Sequence, residues 1–139
     1  MPIKENATLN DILIAFENQT ISSDTTTTGA IIDTAGYDMG LTFAMGCNAY
    51  TDGTYTMKIE HGDDSGLSDA ADVDSAMLVY GTLPDLAAAL TEGDEMPKEG
   101  VHSTKRYVRV SIVSTSVTTG ADVVVVAIAG GELLKTAQE

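Results

Sequence analysis

Basic residues are scarce in this chain. Seven lysines and arginines stand against 21 aspartates and glutamates in 139 residues, a formal net charge of −14. With no basic stripe to release counterions, a phosphate backbone is repelled, which argues against nucleic acid as a partner. Anionic membranes are poor partners for the same reason, and the same repulsion favours solubility. Tryptophan is absent and the aromatics amount to five tyrosines and two phenylalanines, too few for a sugar platform built from exposed rings. Cys47 is the only cysteine, so no internal disulfide can form. It reads as a small buried thiol in a strand or its exit, with no neighbouring base to make it a nucleophile. The longest apolar run, "VVVVAIAGG", is too short to span a bilayer. The opening "MPIKENATLN" has no apolar signal-peptide core, so cytoplasmic synthesis is expected. "NQT" at Asn18 matches a glycosylation acceptor that such a route would leave unused.

What is abundant is threonine and valine, which suit pleated, half-buried strands. "LTFAMG" sets Leu41, Phe43 and Met45 on one face. After the turn dipeptide Asp52-Gly53, Tyr55, Met57 and Ile59 alternate with Thr54, Thr56, Lys58 and Glu60. In "KRYVRVSIVS", Val108, Val110 and Ile112 face one way and Tyr107, Arg109 and Ser111 the other. "DVVVVAIAGG" is apolar on both faces, as in a central or doubly covered strand. "AIIDT" and "AMLVYG" are shorter strand signals. "SSDTTTTGA" reads as a loop, and "DLAAAL", between Pro84 and Gly93, as a helical turn or short helix. Seven or eight short strands without crossover helices predict an all-β protein. The expected architecture is a single two-layer β-sandwich, Greek-key or jelly-roll, with a possible N-terminal arm. The expected organisation is residues 1–25 as arm or first strand, 26–131 as sandwich and 132–139 as a peripheral tail.

The N-terminal stretch is ambiguous. Leu9, Ile12, Leu13 and Phe16 have helical spacing, whereas Ile12, Ile14 and Phe16 have strand spacing. Its side chains are too apolar to be left in water. Twenty extended residues reach at most about 70 Å, far enough to lie on a neighbouring molecule. Leu9, Ile12, Ile14 and Phe16 are therefore candidates for an interface, and a first strand of the sandwich is the alternative.

The stretch most suggestive of chemistry is "EHGDDSGLSDAADVD", residues 60–74. A calcium EF-hand loop needs glycine at its sixth position and glutamate at its twelfth. With Gly66 at six, His61 falls at one and Asp72 at twelve, between flanks that read as strands, so that register fails. An irregular calcium site of Asp63, Asp64 and Asp69 remains an alternative to a solvated hairpin tip, which the Asp and Gly turn chemistry favours. His61 and His102 read as surface loop residues. No hydrolase elbow or phosphate loop is present. No catalytic, cofactor-binding or metal residue is therefore expected, and no enzyme activity. "KRYVR" gathers three of the seven basic residues. It reads either as an outward strand face or, through Lys105, Arg106 and Arg109, as a contact for an acidic partner or neighbouring subunit.

One ordered set of motifs is familiar. "GYDMGLTF" leads to "DGTYTMKIEHGDD" and then to the late strand "KRYVRVSIVSTSVTTGADVVVVAIAG". Over about residues 30–130 this arrangement resembles small virion proteins of tailed phages, the capsid decoration or cement proteins of β-sandwich or jelly-roll type. The resemblance implies a non-enzymatic protein on the outer capsid surface of the virion, made in the host cytoplasm. It implies binding to the major capsid protein, and a homotrimer that clamps neighbouring shell subunits. A carbohydrate-binding or adhesion sandwich is the rival reading.

Overall fold

A computed structural model describes residues 10–37 and 40–130. The strands are β1 (Asn10–Ile21), β2 (Thr25–Asp33), β3 (Leu41–Asn48), β4 (Thr54–Gly62), β5 (Ala71–Asp72), β6 (Asp85–Leu86), β7 (Lys98–Val101), β8 (Tyr107–Thr115) and β9 (Ala121–Gly130). They form two antiparallel sheets, one ordered β1-β9-β3-β7 and one ordered β2-β8-β4-β5, with β6 also pairing to β4. The sheets pack face to face as a β-sandwich. The chain changes sheet at β1–β2, β2–β3, β3–β4, β6–β7, β7–β8 and β8–β9. Asp52-Gly53 therefore turns an arch between the layers rather than a hairpin within one.

Strand alternation builds the core. Tyr55, Met57 and Ile59 of β4 and Val108, Val110 and Ile112 of β8 meet Phe43 and Met45 of β3 and Val123 and Val125 of β9, all buried. β9 is central, flanked by β1 and β3. Its odd-numbered residues from 121 to 129 are buried and its even-numbered ones from 122 to 128 are half-buried, so only one of its faces is fully covered.

Several local expectations are corrected. "TTTTGA" lies in β2 rather than a loop, because Thr25–Thr28 pair with Ser111–Ser114 of β8. "DLAAAL" forms no helix. Leu86 is buried, and Asp85 and Leu86 pair with Thr56 and Tyr55, a tertiary demand that overrides alanine's propensity. "AMLVYG" is a 3₁₀ turn at Ser75–Met77 followed by a single bridge from Leu78 to Val101, not a strand.

Residues 10–21 are not a free arm: β1 pairs antiparallel with β9 along its length. It carries two bulges. Ile14 pairs with Val126 and Phe16 with Val125, so Ala15 is the extra residue. That insertion reverses the face. Ile12 and Ile14 point outward, 73% and 61% exposed, whereas Ala15 and Phe16 are buried side by side. Phe16 is thus a core residue and not an interface residue. Leu9 lies outside the described residues, as do 131–139.

The same edge of the sandwich is closed by β2. A Cβ on Gly29 would stand 2.3 Å from the Ala15 carbonyl oxygen and 2.6 Å from that of Val110. Only glycine lets the two edge strands approach this closely.

Candidate interaction surface

The outer face of the β1-β9-β3-β7 sheet can be read row by row from the strand register. Ile12, Ile128, Thr42 and Gly100 form one cross-strand row. Ile14, Val126, Ala44 and Lys98 form the next. Val124 and Gly46 follow, and then Thr20, Asp122 and Asn48. The first three rows are apolar or uncharged except for Lys98 at the border, which pairs with Glu95 at 2.8 Å. Val79 lies over Gly100, and Met96 over Gly46 and Val124. Glu99, pointing inward and fully buried, fastens the Val79 loop: its Oε1 accepts the Tyr80 N–H at 2.9 Å and the Gly100 N–H at 2.8 Å. The result is a flat apolar surface with Ile12 and Ile14 at one edge and Val79, 56% exposed, at the other. Contiguous apolar exposure of this kind characterises interaction sites.

The outer face of the other sheet has opposite character. Arg109 Nη2 donates to Glu60 Oε1 at 3.0 Å in a half-buried pair. Lys58 Nζ lies 3.8 Å from Glu60 and 3.7 Å from Asp72. Ser111 is buried between these strands.

The other two cations of "KRYVR" also have partners within the chain. Lys105 pairs with Asp63 at 2.8 Å. Arg106 grips Asp33 with two 2.8 Å bonds and stacks over Tyr107, 5.2 Å from its ring centroid. That guanidinium and the Ala35 N–H hold the Asp33 carboxyl down at about 2. The cluster is therefore locally neutralised.

The acidic stretch is organised by backbone amides. Asp69 accepts from Asp63 N at 2.8 Å and Asp64 N at 3.2 Å. Asp64 accepts from Gly66 N at 2.9 Å and Ser68 N at 3.2 Å. These bonds to the ionised form hold both carboxyls below the usual range. Among the described residues no three histidines, cysteines or carboxylates are grouped to hold a metal. Asp52 acts similarly in the arch: it accepts the N–H groups of Thr118, Thr119 and Gly120 and the Thr118 hydroxyl, which keeps its carboxyl at about 2.

His61 is corrected from loop to core. It continues the inward series of β4, is buried, and its Nδ1 lies 2.7 Å from Ser103 Oγ. His102 is exposed beside a small cavity of about 140 Å³ bounded by Tyr37, Leu41 and Val101. Cys47 is buried in β3, and burial pushes its thiol up.

Of the sequence candidates, Ile12 and Ile14 thus share one exposed surface, whereas Lys105, Arg106 and Arg109 are in ion pairs elsewhere. Sequence reasoning missed Val124, Val126 and Ile128. Their signal was the two-sided apolarity of "VVVVAIAG", which marks a strand whose outer face also requires cover.

No family model matches the chain, and no curated protein matches its sequence. Among solved structures, it is similar to the SPBc2 prophage-derived protein YomS at 10% identity and a TM-score of 0.44, over 86% of this chain and 93% of that one. A likeness this distant carries no argument about function.

Proposed function

We propose that this is a non-enzymatic structural protein that docks onto a larger protein assembly through the outer face of the β1-β9-β3-β7 sheet. The observation that carries the reading is the difference between the two outer faces: one is apolar, the other laced with ion pairs. In the finer form suggested by the resemblance, the assembly is the shell of a tailed phage. The partner is its major capsid protein, and the chain decorates the outer capsid surface as clustered trimers. Burying Ile12 and Ile14 would contribute about 1.5–3 kcal/mol each. Repetition over many copies would make a modest interface strong.

The test is co-sedimentation with empty heads assembled from the major capsid protein alone. The parent protein should pellet with heads to saturation, and an Ile12→Asp/Ile14→Asp variant that keeps its fold should remain in the supernatant. Absence of parent binding, or equal binding by the variant, would refute the reading.

A further inference from the structure

The charges around the apolar face identify the chemistry of its partner. Every described lysine and arginine is already paired with a carboxylate of this chain: Lys58 with Glu60 and Asp72, Lys98 with Glu95, Lys105 with Asp63, Arg106 with Asp33 and Arg109 with Glu60. The border of the face, by contrast, is acidic along β1 and at its far end. Glu17 is exposed next to Ile14 along a groove of about 500 Å³ that also includes Gln19 and Gly29. Asp122 closes the far end of the face and receives the Thr20 hydroxyl. On the opposite border Glu95 is neutralised by Lys98 at 2.8 Å. A second copy of the chain would bring the same acidic border against itself, at a net charge of −14 each, and like charges across an interface are costly.

We infer that the face receives a protein surface consisting of an apolar patch flanked by lysine and arginine. The inference rests on the docking role proposed above for this face and adds the partner's charge. In such a contact the apolar rows supply the residence time. The acidic border steers encounter, so association weakens with salt, because exposed charges are screened within about 8–10 Å near physiological ionic strength.

The probe is a short strand-forming peptide of alternating leucine and lysine, titrated into the full-length protein. Two controls run in parallel: the leucine–glutamate peptide and octalysine. Binding is read by fluorescence anisotropy and mapped by amide chemical shifts. The leucine–lysine peptide should shift residues of β1, β9 and β3. Ile12→Thr/Ile14→Thr, which retains strand propensity, should weaken it at least about tenfold. Raising salt from about 20 to about 300 mM should weaken the parent severalfold. Octalysine should bind at least about tenfold more weakly and be indifferent to the double substitution. Equal binding of octalysine would mean that charge alone acts, and equal binding of the leucine–glutamate peptide that the border is irrelevant. Either result overturns the inference, as do shifts confined to the opposite sheet. If the peptide binds as described and empty heads do not, the capsid reading falls while this inference stands.

Discussion

Phe16→Ala and Ile14→Ala test the bulge that defines the face. Two residues apart in an extended segment, these side chains would point the same way in a regular strand. Were Ala15 paired with Val125 in a regular strand, Phe16 would continue the stripe of Ile12 and Ile14 beside Val124. With Ala15 as the extra residue, Phe16 pairs with Val125 and is 1% exposed. Truncating a fully buried phenylalanine costs about 3–5 kcal/mol through lost burial and the cavity left behind. A domain of this kind is stable by about 5–15 kcal/mol, so the loss is a large fraction of the whole. With a urea slope of about 2 kcal/mol/M, the unfolding midpoint should fall by about 2 M. Ile14, largely exposed, should lose less than about 1 kcal/mol, reflecting strand propensity and little burial. Equilibrium urea unfolding of both variants, followed by tyrosine fluorescence and far-UV circular dichroism, measures the difference. Equal costs, or a larger cost at Ile14, would show that the strand runs without the bulge and that the proposed face is wrongly composed.

Gly29→Ala places a methyl group against two backbone oxygens, those of Ala15 and Val110. It should destabilise by about 1–3 kcal/mol in the same assay, and an unchanged midpoint would disprove the close approach of β1 and β2. Arg109→Glu sets a second carboxylate against half-buried Glu60. We expect a loss of about 2–4 kcal/mol, between exposed and buried ion pairs, with partial recovery in Arg109→Glu/Glu60→Arg; a neutral single variant would refute the coupling. Asp33 and Asp52 titrate near 2 in the folded protein against the usual aspartate value of 3.8. As pH falls the unfolded chain takes up these protons first. Their contribution is therefore complete above about pH 4 and is lost between about pH 4 and pH 2. Urea midpoints measured down this range should drop, less steeply in Asp52→Asn; a flat profile would contradict the capping geometry.

The inward faces of β4 and β8 were legible because strict alternation needs no knowledge of the partner strand: Tyr55, Met57, Ile59, Val108, Val110 and Ile112 are all buried as their spacing predicts. Turn chemistry at Asp64 and Asp69 was equally local, since both cap amides of their own tight turn, whereas Asp52 caps Thr118, Thr119 and Gly120 far along the chain. His61 was misread because its neighbours Gly62 and Asp63 signal a turn, whereas its register with Val108 places it inside. The "KRYVR" cations looked available because Asp33 lies 73 residues from Arg106 and Glu60 lies 49 from Arg109.

Alone, the sequence determined a strand-built, acidic chain with one cysteine, its inward stripes and its aspartate-capped turns, because each depends on composition or on contacts a few residues apart. Only the tertiary structure decided which cations are neutralised, which outer face stays apolar, and that Phe16 turns inward while Ile14 does not. Those outcomes depend on cross-strand register. A single inserted residue reverses the face of the residues that follow it until the second bulge, before Gln19, and the strand that enforces the reversal, β9, lies more than a hundred residues away.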